Sequence, residues 1–537
     1  MTGDYLAEIL AHAGLNRPAL EAVGLLVGPA PTEDVAARVR AGAGAVLLGD
    51  PGPLAELAGV AVRNTVDEGH VAFSPGWPAD VPLHAFGGVA VTATDADVVA
   101  EWTHGGAAVT VRRVGAGAVV LIGADVCGSV VRIRQGWPVT TDGTPPPDGT
   151  APVDEGILKC EDGLALDYQL DRAMPDGSPP PATFEHTYPP AGPAPMFHRP
   201  HADLWAETLL EALYRVAEHM HAPLARLDYW PDGISAVAHM SHDSDSNTDD
   251  SARVALDTFA AAGVPVTWCV LHPGGYSART YTDISAAGHE LALHYNAMGD
   301  TDLDEWGAEN LLAQRDWLAR TTGVTPVSNK NHYTRWEGGA DFYHWCEAAG
   351  IRTDQSRGPS KQGTVGFPFG TCHPSFPLSD NGTMLDVLAV PLHTQDLWWT
   401  AVDAVRDVIM DQAQARHGIA HFLFHGRNML RHPEVVAAVL ATAQAARERG
   451  LPWWTSERID DWERRRRGVR VQVTGDAKAW HVVAHADTPV EGAVLLLSLP
   501  GSLESPQRTV SRHDRKHVAV TADLAAGENR FTLRRAS

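Results

Sequence analysis

Apolar and polar positions alternate in short blocks along most of the chain, and the blocks predict a mixed α/β protein. AVGLLVG at residues 22–28 and AVLLGD at 45–50 predict strands, and the helical pattern between them begins after Thr32. Thr32 can cap that helix, with Asp34 in its first turn. Extended segments on both sides of Gly115–Gly117 complete a predicted α/β domain over residues 1–140.

The pattern of this first domain is similar to that of glutamine-amidotransferase-like domains. The sequence has no convincing nucleophilic cysteine at a strand-to-helix elbow, and Cys127 in ADVCGSVVR is interpreted as a packing residue. The first domain is therefore predicted to be amidotransferase-like without a catalytic cysteine, with a scaffolding or partner-gating role.

Composition divides the rest of the chain into three further segments. Residues 141–224 form a connector, which is proline-rich up to about 200 and then contains the helical pattern HADLWAETLLEALYRVAEHM. Residues 225–467 alternate strands with helices and carry most of the clustered His, Asp, Trp and Asn. Residues 468–537 contain short alternating strands between turns, which predict an all-β, β-sandwich-like module.

The overall charge limits the kinds of partner that the protein can bind. The 537 residues include 42 lysines and arginines against 66 aspartates and glutamates, a net charge of −24. Nucleic acid and anionic membrane are therefore excluded as main partners, since both require positive potential. Lysine occurs at only five positions (159, 330, 361, 478 and 516), which is interpreted as a codon-composition bias.

Cysteine usage and the N-terminus predict a cytoplasmic location. The five cysteines are far apart and form no CxxC pair, which favours a reducing compartment. The first residues lack the pattern of a secretory signal, and no apolar run is long enough to cross a bilayer. The oligomeric state stays open.

The strongest chemical motif is ISAVAHMSHDSDSN, in which an apolar strand ends at Asp243 and Asp245. Active sites of α/β proteins lie at the carboxyl ends of strands, where one carboxylate can hold a metal and another can accept a proton. The same residues could instead form a turn that caps the following helix. A second apolar run, LAL, ends at His294, and two such clusters together favour a site.

The order of AVAHMSHDSD, GVPVTWCV and GHELALHYN resembles that of the polysaccharide deacetylase (NodB-like) family over residues of about 225–465. The later segments VSNKNHYTRWEGG and AHFLFHG stand where that family has further motifs. The resemblance implies a distorted (β/α) barrel of NodB type and one divalent metal ion, usually zinc. It also implies hydrolysis of an N-acetyl group or another amide.

Transferred residue by residue, the resemblance makes Asp243 the catalytic base and His425 the general acid. Asp245 and His294 match two metal ligands, but Met298 occupies the slot of the family's second metal-binding histidine. A thioether is a poor ligand for zinc beside oxygen and imidazole donors. The third ligand is expected to be His332.

Several other polar and aromatic residues are candidates for the site. His373 is the second choice for the third ligand, and Asn296 could contribute an oxygen to the metal. The residues predicted to bind substrate are Asn296, Asn331, Arg335, Trp336, His373 and Trp398.

The leading hypothesis is a metal-dependent hydrolase that acts on a carbohydrate amide or another small-molecule amide. One alternative is a non-sugar amidohydrolase on the same fold, which the missing export signal favours. The other is a carbohydrate-binding pseudoenzyme that has lost its metal. Retention of Asp243, Asp245, His294 and His425 together counts against the pseudoenzyme, because a binding site needs neither a base nor an acid.

Overall fold

The computed structural model describes residues 3–144, 146, 148–150, 156–185, 187, 190–298 and 306–536. The chain forms two compact units, each assembled from separate stretches of sequence. The first unit contains Met1–Arg132, His201–Gly233 and Glu463–Ser537, and the second contains Ile133–Pro200 and Ile234–Trp462.

The described residues contain 22 strands. In chain order they are β1 Leu25–Val27, β2 Gly44–Leu48, β3 Val60–Phe73, β4 Leu83–Ala93, β5 Asp97–Trp102, β6 Ala107–Val114, β7 Gly117–Ile122, β8 Leu224–Leu227, β9 Val237–Asp243, β10 Thr267–Leu271, β11 Glu290–Tyr295, β12 Ser328–Asn331, β13 Thr353–Asp354, β14 Leu388–Ala389, β15 Thr394–Gln395, β16 Ile419–His425, β17 Val469–Gly475, β18 Ala479–Ala486, β19 Val490–Ser498, β20 Thr509–Arg512, β21 Arg515–Leu524 and β22 Gly527–Arg534.

The described residues also contain 14 α-helices, together with three 3₁₀ turns at Gly52–Leu54, Cys160–Gly163 and His332–Thr334 and a π turn at Asp396–Thr400. The α-helices are α1 Gly3–His12, α2 Arg17–Ala22, α3 Glu33–Arg40, α4 Ala55–Ala58, α5 Val126–Gln135, α6 His201–His219, α7 Asp249–Ala262, α8 Ala278–Ala286, α9 Ala308–Thr322, α10 Asp341–Ala349, α11 Asp403–Arg416, α12 Gly426–Arg431, α13 Pro433–Glu448 and α14 Ser456–Arg467. None of the helices so described has the length and apolarity needed to cross a membrane.

The first unit contains a seven-stranded mixed sheet in the order β1-β2-β7-β6-β4-β3-β5. Its strands β1, β2 and β7 are parallel, and the remaining pairs are antiparallel. The helix predicted after Thr32 is α3, and the Thr32 side chain accepts a hydrogen bond from the Val35 amide as its cap. Burial and then the Asp125 carboxylate raise the pKa of Cys127 to about 12, so its thiol stays protonated.

Two antiparallel sheets of the first unit contain the strands after residue 468. One has the order β17-β18-β22 and the other β20-β21-β19-β8. Strand β8 is contributed by residues far upstream, and its Leu227 pairs with Leu495 of β19. Alternate residues of β17 are buried, as expected for a sheet with one covered face.

The second unit is built around eight parallel strands in the order β14-β13-β12-β11-β10-β9-β16-β15. From β9 to β14, strands that are consecutive in the chain are neighbours in the sheet. β16, the last strand in the chain, pairs with β9, the first, along its whole length, from Ile419↔Val237 to His425↔Asp243. This is the cyclic order of a (β/α) barrel with one seam, between β14 and β15. The prediction of a mixed α/β protein with a barrel-like parallel sheet is thereby confirmed.

The central strands of this sheet are buried along their whole length. Every residue of β9, β10 and β11 is buried, because helices cover the outside and side chains fill the inside. Large side chains such as Trp268 and Phe259 fill the core beneath them. Polar residues at the carboxyl ends of these strands are therefore held by a rigid framework.

Candidate active site

The strand register brings the predicted site residues to one end of the barrel. Asp243 ends β9 and pairs with His425, which ends β16. On the other side, His294 of β11 pairs with Lys330 of β12. Parallel strands expose their carboxyl ends at one edge, so side chains that are distant in sequence meet there.

Asp245, His294 and His332 form a group that could hold a metal ion. One ligand atom from each residue lies within 4.8 Å of the others. Asp245 Oδ1 is 3.7 Å from His294 Nε2 and 3.9 Å from His332 Nε2. Ligands of a tetrahedral zinc ion are separated by about 3.3 Å, so small rotations of these side chains are enough to bind one.

Hydrogen bonding supports the same assignment. Asp245 Oδ1 and His294 Nε2 are buried, and within the described chain neither has a hydrogen-bond partner. His294 Nδ1 donates to the Lys330 carbonyl oxygen over 2.8 Å, which leaves the Nε2 lone pair available. A metal-binding histidine usually has this kind of second hydrogen bond, so the donor set fits a divalent cation.

Asn296 positions His332 in this group. Its Oδ1 accepts from His332 Nδ1 over 3.2 Å and from the Met298 amide over 3.2 Å, while its Nδ2 donates to the His272 carbonyl oxygen. Met298 stands where the resemblance implies a second metal-binding histidine. Its backbone instead helps to hold Asn296, which in turn holds the loop histidine that lies beside Asp245.

Asp243 lies on the other side of the group, next to a buried lysine. Asp243 Oδ2 is 3.5 Å from His294 Nε2 and 3.7 Å from Lys330 Nζ. Burial alone would raise the pKa of Asp243, but the positive charges of His294, Lys330 and His425 outweigh it and lower that pKa below its usual range. Asp243 is thus a carboxylate at neutral pH.

His425 is held by Asp396, from the π turn that follows β15. The two oxygens of this carboxylate accept from the His425 backbone amide over 2.9 Å and from His425 Nδ1 over 2.5 Å. Asn428 Nδ2 donates to the same carboxylate over 2.8 Å. Burial would lower the pKa of His425, but Asp396, Asp245 and Asp243 raise it to about 10.

These residues line a pocket of about 330 Å³, within the usual range for small-molecule sites. Asp243, Asp245, His294, His332 and His425 are all in its wall. The other lining residues are Lys159, Tyr333, Thr334, Ser360, Lys361, Gln395, Asp396, Arg427, Asn428, Arg431 and His432.

The six residues predicted to bind substrate are not in this wall. Asn331 Nδ2 donates to the Arg335 carbonyl oxygen, and Arg335 itself pairs with Glu337. Trp336 is fully buried, with Arg357 stacked 4.0 Å from its ring centroid.

His373 and Trp398 also lie outside the wall of the pocket. The Nε2 atom of His373, the second choice for the third metal ligand, donates to the Arg416 carbonyl oxygen over 2.8 Å. The histidine that lies next to Asp245 is instead His332. Trp398 stacks on His432, with ring centroids 4.2 Å apart, and only His432 lines the pocket.

Asp243 and Asp245 do not cap the helix that follows β9. Helix α7 begins at Asp249, and the Thr248 side chain accepts from the Ser251 amide as its cap. Asp243 and Asp245 lie upstream of that cap, with Asp245 in the left-handed region at φ 43. Their carboxylates are therefore free of the capping role that the sequence alone leaves open.

The roles of Lys330 and Asp396 are not among those predicted from the sequence. The signal for Lys330 was its rarity, since it is one of five lysines in the chain. Asp396 belongs to PLHTQDLWW, a cluster of polar and aromatic residues interpreted as a candidate for substrate recognition, but its contact with His425 depends on the strand pairing across the sheet.

Comparisons with known proteins give no matching family model and no match among curated proteins. Among solved structures, the chain is similar to a probable polysaccharide deacetylase from Pseudomonas aeruginosa PAO1, at 14% identity, covering 44% of this chain and 93% of that chain with a TM-score of 0.32.

The chain is also similar to two other solved structures. One is the Xyl-CE4 domain of a multidomain xylanase from the hindgut metagenome of Trinervitermes trinervoides, at 12% identity, covering 42% of this chain and 90% of that chain with a TM-score of 0.27. The other is a β-galactosidase from Bacillus circulans sp. alkalophilus, at 16% identity, covering 19% of each chain with a TM-score of 0.17.

Proposed function

We propose that the protein is a divalent-metal-dependent hydrolase that cleaves the C–N bond of an amide, in the manner of NodB-like deacetylases. The observation that carries the proposal is the grouping of Asp245, His294 and His332 in one pocket wall, with Asp243 and His425 beside them. A metal group alone could be structural. A base and an acid at the same pocket point to hydrolysis.

Asp245, His294 and His332 would hold the metal, and their one carboxylate and two imidazoles suit Zn²⁺. When bound, such a cation polarises an amide carbonyl and makes a water molecule more acidic. The Lys330 carbonyl oxygen fixes the orientation of His294, and Asn296 Oδ1 fixes that of His332. The two imidazoles are thus oriented before any ligand arrives.

Asp243 is the proposed general base. Its Oδ1 is buried and has no hydrogen-bond partner in the described chain, so this oxygen can accept the proton of the attacking water. The Nζ atom of Lys330, 3.7 Å from Asp243 Oδ2, stabilises the charged form of the Asp243 carboxylate. Removal of the water proton lets the oxygen attack the amide carbon without building up positive charge.

His425 is the proposed general acid. Its Nε2 is 3.9 Å from Asp243 Oδ2, so the acid and the base face the same small volume. Since Nδ1 donates to Asp396, the proton on Nε2 is the one available to the departing nitrogen. An amide nitrogen leaves poorly as an anion, and protonation by His425 makes it a neutral amine.

We also propose that the substrate is an N-acetyl sugar or another small N-acyl compound. The pocket volume of about 330 Å³ accommodates one sugar ring or a linear amide of similar size. The ring of His432, which lines the pocket and is stacked on Trp398, offers an apolar face to such a ring.

Metal analysis of purified protein tests the metal group directly. The wild type should retain about one Zn²⁺ per chain after dialysis, and Asp245→Ala, His294→Ala and His332→Ala should each lower this to less than about a tenth, because a two-ligand site binds zinc weakly. Asp257→Ala and His344→Ala are matched controls, since both residues are exposed on helices α7 and α10. Unchanged zinc in the His332 variant would contradict its assignment.

The same samples should be assayed for acetate and amine release from N-acetyl sugars and small amides. Asp243→Asn should keep the metal and lose turnover, because the substitution removes the base and leaves the three ligands in place. Full activity in this variant would reject Asp243 as the base. A wild type that binds sugars but contains no metal would instead favour a carbohydrate-binding pseudoenzyme.

A further inference from the structure

The wall of the pocket carries positive charge, against the bias of the whole chain. Four lysine and arginine side chains line it (Lys159, Lys361, Arg427 and Arg431), compared with three aspartates. The whole chain has the opposite balance, with 66 acidic residues and 42 basic ones. The pocket is thus a basic patch on an acidic protein.

The distribution of lysine strengthens this observation. Of the five lysines in the sequence, Lys159 and Lys361 line the pocket. A third, Lys330, lies just beneath it, with Nζ 3.7 Å from Asp243 Oδ2. A codon bias lowers the number of lysines but does not explain why those that remain gather at one site.

The three aspartates of the wall are already engaged. Asp245 lies in the metal group, Asp243 faces Lys330, and Asp396 accepts from His425 and Asn428. They do not neutralise the two arginines. Within the described part of the chain, neither Arg427 nor Arg431 forms an ion pair or a hydrogen bond through its guanidinium group.

Other arginines of the same unit are paired with acidic side chains. The pairs include Arg253–Asp250, Arg335–Glu337, Arg352–Asp460, Arg406–Asp403 and Arg449–Asp411. Arg427 and Arg431 differ from these in that their charge is directed to the pocket. They are four residues apart on α12, so they lie on the same helix face.

We propose that this wall binds an anionic group of the substrate, a carboxylate or a phosphate, through Arg427, Arg431 and Lys361. The inference rests on the proposed function, because it concerns the substrate of the same site. Guanidinium groups bind both anions through paired N–H donors, and an ammonium group adds a third charge-assisted contact. The substrate is therefore an N-acyl compound that also carries a negatively charged group.

The contrast between anionic and neutral ligands of the same shape tests this inference. The probes are N-acetylglucosamine, its 6-phosphate and N-acetylmuramate, which share one acetamido group and differ in charge. Calorimetric titration of the zinc-loaded wild type should give a Kd at least tenfold lower for one of the charged sugars than for the neutral one. The charged sugar that is preferred identifies phosphate or carboxylate as the recognised group.

The arginine variants assign the preference to this wall. The double substitution Arg427→Gln and Arg431→Gln should reduce the ratio of the two Kd values to less than about threefold. Both side chains are exposed, so the fold should tolerate the change. Arg320→Gln, on the exposed face of α9, is the matched control and should keep the wild-type ratio.

Titration with inorganic phosphate separates this inference from the proposed function. Phosphate should bind metal-free wild type at least tenfold more tightly than the metal-free double variant, and higher salt should weaken binding to the wild type more steeply. This result would support the anion site even if no amide were hydrolysed. Equal phosphate binding by the two proteins, or equal Kd values for charged and neutral sugars in the wild type, would overturn the inference.

Discussion

The Asp396 carboxylate controls both the position and the protonation of His425. It accepts from the backbone amide and from Nδ1 of the same histidine, so that the ring cannot turn without losing a charge-assisted hydrogen bond. Its charge is also the largest of those that raise the pKa of His425 to about 10 against the effect of burial. A catalytic acid that must protonate a nitrogen at neutral pH needs both properties.

Replacement of Asp396 by Asn should therefore weaken the acid. The pKa of His425 should fall, since the folded protein loses the charge that holds the proton, and the alkaline limb of the kcat profile should move to lower pH. At pH 8 we expect kcat to fall by about 10²-fold or more. Measurement of kcat and KM from pH 6 to 10 checks this, with Asp386→Asn in the same unit as the control. An unchanged alkaline limb would mean that Asp396 has no part in the acid.

At this scale the sequence predicted the residues at strand ends and missed those that act through a neighbour. Asp243, Asp245, His294 and His425 could be singled out because each follows an apolar run. The roles of Lys330 and Asp396 could not be assigned in this way, because their contacts depend on which strands are adjacent and in which register. A single sequence contains no direct information about that adjacency.

At the scale of elements, the position of β16 depends on a close contact at its first residue. The Ile419 amide donates to the Cys372 carbonyl oxygen over 2.7 Å, and the Val237 amide of β9 donates to the Gly418 carbonyl oxygen. A Cβ atom on Gly418 would lie 2.4 Å from Cys372 Sγ and 2.7 Å from the Cys372 carbonyl oxygen. Glycine is needed here because the backbones approach too closely for a side chain.

Gly418→Ala should consequently destabilise the protein by about 2 kcal/mol, because the backbone must shift to relieve the overlap. The urea unfolding midpoint measures the loss. Gly192→Ala is a suitable control, because an added Cβ there meets no atom within 4 Å. Since β16 carries His425, the Gly418 variant should also lose activity at temperatures where it is still folded. Equal midpoints for the two variants would contradict this account.

The longer strands could be predicted from sequence, whereas the strands at the barrel seam could not. β9, β10 and β11 each coincide with an apolar run that ends in polar residues. β14 and β15 are two residues long, and nothing in a two-residue segment distinguishes a strand from a loop. β14 and β15 are recognised as strands only from their pairing with β13 and β16 in the folded sheet.

At the scale of the whole molecule, buried histidines make the stability of the fold depend on pH. His239 and His421 are fully buried, with ring centroids 4.2 Å apart and Lys330 nearby. Burial, opposed by hydrogen bonds to Gln355 and the Trp454 carbonyl oxygen, lowers the pKa of His239 to about 4. Burial likewise lowers the pKa of His421, with repulsion from His239, Lys330 and His393 in the same direction.

These shifts predict that acid destabilises the protein. Between pH of about 6.5 and 4 the unfolded chain binds protons that the folded His239 does not, so the free energy of unfolding falls as the pH falls through this window. Each such histidine adds a slope of up to about 1.4 kcal/mol per pH unit. Urea unfolding at intervals from pH 7.5 to 4.5 should show a smaller slope for His239→Asn than for the wild type. The slope should not change in the exposed-site control, His344→Asn.

The division of the chain into units also belongs to this scale. Composition suggested consecutive domains, whereas the two compact units are each assembled from separate stretches. The pairing of β8 with β19, more than 250 residues later in sequence, is one contact of this kind. Local patterns of apolar residues cannot indicate such a pairing, so the consecutive boundaries stay a prediction.

The open seam of the barrel has a consequence for how the protein behaves at high concentration. Free sheet edges tend to recruit strands from other molecules and so promote aggregation. At this seam the edge strands are only two residues long, and Ser375 pairs with Ala389 on the outer side of β14. The barrel can therefore stay open between β14 and β15 without offering a template for intermolecular β-sheet growth.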